Sequence, residues 1–293
     1  MKKSYELDMC NGPILGKILV FAIPLMISGI LQLLFNAADI IVVGRFTGSQ
    51  ALAAVGSTSA LINLIINLFI GVSVGANVVV ARNYGAKDYD GIHGAVHTSV
   101  LTAIWGGIIL IFVGILLARP MLEMMGTPED VINLSVLYMR IYFVGMPAFM
   151  MYNFGAAILR AIGDTKRPLY FLTLSGVVNV VLNLFFVIVF HMGVAGVALA
   201  TIISQAISAF LIILCLMKMD GPCHLDFKHL KFHPEQLKSM LRIGLPAGLQ
   251  GAIFSISNVL IQSSVNSFGS QVMAGNTAAG NIEGFVYNSM NAV

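Results

Sequence analysis

Apolar stretches of about 20 residues or more follow one another along the whole chain, and a stretch of that length is what one helix needs to cross a bilayer. Eight such segments are read, at about 14–44, 51–81, 96–118, 134–162, 169–191, 194–216, 241–267 and 272 to the end. Hydrophobic residues make up 58% of the chain and charged residues 10%, against about 25% charged in a soluble protein. A membrane β-barrel would show alternating segments of about ten residues, and none is present. The sequence therefore predicts an all-α integral membrane protein, with the lipid bilayer as its first partner and no nucleic acid among the others.

The basic residues fall on one side of these spans. Alternate connections hold Lys2, Lys3 and Lys17, then Arg82 and Lys87, then Arg160, Lys166 and Arg167, and finally Lys218, Lys228, Lys231, Lys238 and Arg242. The opposite connections hold Arg45 and Arg119, and Arg140 falls within a span. By the positive-inside rule the amino terminus and the long connection between spans six and seven are cytoplasmic, in a multi-pass protein of the cell membrane, expected to be the bacterial inner membrane. The first apolar run is too long for a signal peptide and lacks a small-residue cleavage pattern. Cys10, Cys215 and Cys223 are an odd set near the cytoplasmic side and imply no disulfide framework.

A duplication organises the chain. An offset of 222 residues pairs Pro24 with Pro246, Gly29 with Gly251, Asn36 with Asn258 and Phe46 with Phe268, and a one-residue slip then pairs Gly48-Ser49-Gln50 with Gly269-Ser270-Gln271. Parallel repeats of several spans each predict two lobes that rock about a central site. Residues 1–217 read as a six-helix first lobe, 218–240 as a cytoplasmic linker and 241–293 as the first two helices of a second lobe. Six helices in each lobe are expected of the whole protein, so the sequence reads as truncated at Val293, with a monomer expected at full length.

Short connections leave little room for chemistry outside the membrane. Ionisable side chains within a span are costly, by at least roughly 2.5–3.5 kcal/mol at the helix centre, and mark functional sites. Asp39 shares one stripe of the first helix with Gln32 and Asn36, and the second copy has Ile261 at the equivalent position, so the scaffold itself does not need the carboxylate. Glu283 lies about ten residues into the last span, which places it near the middle of the membrane as a second buried acid. Each is a candidate to bind and release a proton or a sodium ion. Amides recur at helical spacing, Asn63 with Asn67 and Asn179 with Asn183, joined by Asn153, Thr201 and Gln205. Such residues either line a polar chamber or bond helix to helix at about 1 kcal/mol each.

Pro24, Pro147 and Pro246 sit inside spans, where they free backbone carbonyls and permit kinks. A bend in the first helix beside Asp39 would couple ion binding to shape. His93 with His97, and the linker group Cys223, His224, Asp226, His229 and His233, have metal-like spacing. The linker nevertheless reads as a solvated connector, and no metal or organic cofactor is expected.

The strings Ile23-Pro24 followed by LFNAADIIVVGRFTG, then ALAAVG, ILRAIGDTKRP, NVVLN and GVAGVALAT, occur in the order that resembles the multidrug and toxic compound extrusion (MATE) family of the multidrug, oligosaccharidyl-lipid and polysaccharide exporter superfamily. The resemblance implies a twelve-helix antiporter, not an enzyme, that expels cationic or amphipathic small molecules as protons or sodium ions enter. It assigns Asp39 to the family's first-helix aspartate, Asn179 and Thr201 to its polar partners, and Glu283 to an acid of the second lobe. Asn183 departs from the aspartate that many proton-coupled members carry there. A flippase for lipid-linked oligosaccharides is the alternative within the superfamily, and an integral-membrane enzyme using the histidines is the alternative from another class.

Overall fold

The structure, a computed structural model, describes residues 14–291, with side chains described for 16–284. Lys2, Lys3, Cys10 and Val293 lie outside the described residues. With no water in the hydrocarbon to bond the backbone, each segment must satisfy its own N–H and C=O groups, and helices do so. The chain forms α1 (Ile14–Phe46), α2 (Ser49–Gly85), α3 (Tyr89–Met124), α4 (Glu129–Val144), α5 (Met146–Ala161), α6 (Lys166–Leu184), α7 (Gly193–Lys218), α8 (Pro234–Asn266) and α9 (Ser270–Asn291). A π-helical turn, Phe185–Val189, extends α6, and a 3-10 turn, Phe227–His229, lies before α8. Among the described residues six helices are long and apolar enough to cross a membrane, and a bent pair makes a seventh span. The eighth expected span falls on α9, which is not among the helices that meet that length and apolarity.

The fourth expected span, 134–162, is that bent pair. Helices α4 and α5 meet at 50° around Gly145, with Pro147 in the first turn of α5. Proline at that place removes an amide that would otherwise bond back into α4, so the kink is where the sequence permits it. Helices α1 and α8, by contrast, run continuously through Pro24 and Pro246.

The duplicated turn is built the same way twice. Gly48 and Gly269 precede α2 and α9 at φ of 99° and 89°, backbone angles that a side chain disfavours. Bonds between connections keep the two ends of the bundle distinct. At the end that includes this turn, Gln50 donates to Asp130 (3.4 Å), and the buried Asn266 donates to the Met125 carbonyl (3.1 Å) at the terminus of α3. At the other, Asn83 donates to Gln236 (3.4 Å) and Thr98 accepts from the His233 amide (3.1 Å). The basic connections gather at this second end, as the charge count expects. Asn266→Ala removes the tie to Met125 and is expected to cost about 1–3 kcal/mol, read as a fall of a few degrees in thermal unfolding in detergent.

The core is formed by α5, buried almost all round against α2, α3 and α7, with Met146, Met150, Phe154, Ile158 and Leu159 closed off from solvent. The most extensive helix pair is antiparallel α2 and α8, which join the expected first lobe to the start of the second. Here Gly71 and Gly75 interlock with Gly244 and Gly248. A Cβ on Gly71 would overlap the backbone of Gly248, one on Gly244 would come 2.5 Å from the Cα of Val72, and one on Gly248 would lie 2.7 Å from the Leu68 carbonyl oxygen. In lipid, where burial of apolar surface does little to join helices, close backbone approach of this kind supplies the packing.

Candidate functional site

Asp39 meets α6 because α1 can press against it. The Phe35 ring occupies the space that a Cβ on Gly176 would fill, and further along the pair the Asp39 carboxylate accepts a hydrogen bond from the Asn183 amide. Asn179 and Asn183, one turn apart on α6, both face inward and are buried. The Asn183 amide also donates to the Asn179 side-chain oxygen (3.3 Å), and the Asn179 amide donates to the Thr201 hydroxyl on α7 (3.4 Å). Thr201 in turn donates to the Val197 carbonyl (3.0 Å). A single line of polar groups thus runs from α7 through α6 to the carboxylate on α1, inside a membrane bundle.

One lone pair in this line is left over. The side-chain oxygen of Asn183 is buried and has no hydrogen-bond partner, a state that costs about 1–3 kcal/mol unless something fills it. Tyr138 and Tyr142, one turn apart on α4 with ring centroids 5.9 Å apart, lie within electrostatic reach of Asp39. Tyr142 also borders a small crevice with Gly145, Met146, Phe149, Thr201 and Gln205, so the far end of the polar line opens toward the bend between α4 and α5. Sequence reasoning passes over these tyrosines. Their spacing of four in a span with few polar residues is the signal that finds them.

The other expected site residues fall elsewhere. Gln32 and Asn36 share the stripe with Asp39, yet both are exposed on α1 and stand outside the bonded line. Asn153 bonds to the Phe149 carbonyl of its own helix (2.8 Å), which satisfies it locally. Asn67 joins α2 to Ser255 on α8 (2.7 Å) and so belongs to helix packing. Glu283 is exposed on α9 in this chain, which differs from the buried setting expected of it. Helix α9 buries Met273, Ala274 and Thr277, and at 100° per residue Glu283 points away from that face. His97 is buried against the linker, and no group of three or more His, Cys, Asp or Glu side chains among the described residues could hold a metal. The Cys215 sulfur accepts a hydrogen bond from the Arg167 guanidinium (3.3 Å).

Comparison with known proteins agrees with this architecture. The chain is 33% identical over 262 residues to the probable multidrug resistance protein YoeA of Bacillus subtilis (strain 168), covering 87% of this chain and 57% of the relative. It is 30% identical over 268 residues to the probable multidrug resistance protein YpnP of the same strain, covering 92% and 60%. This chain therefore spans somewhat more than half the length of these curated relatives. Among solved structures it is similar to an inward-facing multidrug resistance MATE family transporter of the MOP superfamily, with a TM-score of 0.80 at 29% identity over 86% of this chain and 57% of that one. An outward-facing structure with the same description gives 0.78 at 25% identity, over 100% of this chain and 70% of the other. Residues 24–185, more than half of the sequence and the part that contains the whole polar line except Thr201, match the MatE family model. The chain belongs to the MatE family, that of the MATE transporters.

Proposed function

We propose that this protein is a secondary-active multidrug efflux antiporter, exporting cationic or amphipathic compounds in exchange for H⁺ or Na⁺, with Asp39 as the group that takes up and releases the ion. The observation that carries the reading is the line from Thr201 through Asn179 and Asn183 to Asp39. A carboxylate held in a membrane bundle by a neutral amide, with no ion pair to it among the described residues, is one that a mobile cation can neutralise. The spare oxygen of Asn183 adds a ligand beside the carboxylate, and hard cations favour oxygen ligands. Because Asn183 is an amide rather than a second acid, the site carries one negative charge. Glu283, exposed and outside the line, is not given the coupling role.

In this scheme the ion binds the two access states with different affinity and so shifts the population between them, while substrate occupies the space between lobes. The relatives named multidrug resistance proteins support the substrate class. The protein acts in the cell membrane with its amino terminus and linker in the cytoplasm, as a monomer and not as an enzyme, and the bias of basic residues supports that orientation. The test is reconstitution in sealed vesicles loaded with a fluorescent lipophilic cation. An imposed inward gradient of H⁺ or of Na⁺ is expected to drive the dye out against its own gradient. Dye movement that is the same with both gradients collapsed would refute ion coupling.

A further inference from the structure

The segment 219–233 between α7 and α8 is docked rather than free. Its inner side is closed off, with Cys223 and Leu225 2% and 1% exposed. The Leu225 amide returns to the Leu216 carbonyl of α7 (3.1 Å). On α3 the His97 ring sits with Nδ1 2.8 Å from the His93 carbonyl oxygen and Nε2 3.2 Å from that of Asp226. Thr98 accepts from the His233 amide, and the His233 ring lies over Gly94, where an added Cβ would come within 3.2 Å of it.

This docking fixes the height of the segment. His97 and Thr98 stand about two turns, or roughly 12–13 Å, past the start of α3 at Tyr89. The long apolar run of that helix begins at about Val96. The segment thus lies beside the bundle at the level where hydrocarbon gives way to headgroups.

Its outer side has the chemistry of that boundary. Phe227 and Phe232 are 45% and 37% exposed, and the exposed Lys228 and Lys231 lie between them. Lys166, Lys238 and Arg242 are exposed at the same end. Asp220 and Glu235 offset part of this charge, yet the five basic side chains of 218–242 (Lys218, Lys228, Lys231, Lys238 and Arg242) outnumber the three acids there, the third of which is Asp226. The Asp226 carboxylate accepts from the Lys228 amide (2.9 Å) and from His229 (2.7 Å), and these bonds hold it below the usual carboxylate range. Aromatic rings settle at the edge of the acyl chains, and lysines near a membrane surface favour anionic lipid by about 1 kcal/mol each.

We propose that segment 219–233 is a docking surface for anionic lipid, with Phe227 and Phe232 seated against the headgroup-proximal part of the acyl chains and Lys228 and Lys231 against phosphate headgroups. The proposal stands apart from the transport reading, since it needs only that the bundle spans a bilayer. The chain has one tryptophan, Trp105, so Trp105→Phe with Phe227→Trp gives a single reporter in the full chain. Reconstituted in vesicles of phosphatidylcholine with phosphatidylglycerol, one lipid brominated at a time, the reporter is expected to be quenched about twofold more deeply by brominated phosphatidylglycerol. Adding Lys228→Gln and Lys231→Gln should keep the quenching and erase the preference. Equal quenching by both lipids before the lysines are changed overturns the anionic preference, and no quenching by either overturns the docking itself. Circular dichroism and gel-filtration behaviour identical to the parent chain are required of each variant, and Phe232→Trp serves as the second reporter if Phe227→Trp fails to fold.

Discussion

Asp39→Asn is expected to reduce ion-driven efflux to background while leaving the protein in the membrane at normal levels. Asparagine nearly matches aspartate in shape and keeps an oxygen able to accept the Asn183 amide, so packing between α1 and α6 has no reason to fail. What is lost is the charge that a proton or sodium ion would neutralise. The decisive comparison is drug resistance in cells and gradient-driven efflux in vesicles, measured beside the amount of folded protein. Full efflux in the variant would remove Asp39 from the coupling role, whereas loss of folded protein would show that the carboxylate serves the fold. Glu283→Gln, on the exposed face of α9, provides the contrast and should change efflux little.

The second large effect is expected at the seam between α2 and α8. Gly71→Leu places a side chain where the backbone of Gly248 already lies. Overpacking a core typically costs 1–3 kcal/mol when neighbouring side chains can turn aside. Here the obstacle is main chain, which has no rotamer to change, so the cost should reach about 3 kcal/mol or more. Thermal unfolding in detergent should shift down strongly, and cysteine pairs bridging the two helices should no longer cross-link. Gly29→Leu, with nothing within 4 Å of an added Cβ, should leave unfolding unchanged. Equal tolerance at both glycines would mean that the interlock does not hold the helices together.

These two sites differ in how far they can be read from sequence. The helices were legible because lipid imposes one solution on a long apolar run, and the repeat was legible because Gly48 and Gly269 perform the same turn at matching positions. Asp39, Asn179, Asn183 and Thr201 could be named from residue type and helical spacing. That Asn183 bridges to the carboxylate could not, because which side chain reaches across depends on how closely Phe35 sits over Gly176. The facing of Glu283 is beyond the sequence for a related reason: position along a helix gives depth, but which neighbours α9 packs against decides its facing. The spacing Gly71-x-x-x-Gly75 and Gly244-x-x-x-Gly248 was present in the sequence as well, yet nothing in it says that the two patterns meet. Equally, the linker composition suggests a solvated connector, and only the burial of His97, Cys223 and Leu225 shows it held against the bundle.

The bend at Gly145 divides one membrane span between two tasks. Upstream, Tyr138 and Tyr142 stack one turn apart on α4, with Tyr142 bordering the crevice beside Thr201, while downstream α5 is enclosed by the core on nearly every side. Tyr138→Phe and Tyr142→Phe, which keep the packing, should therefore alter transport with normal abundance, whereas truncations in α5, like those at the buried Met139 and Phe143 of α4, should lower abundance.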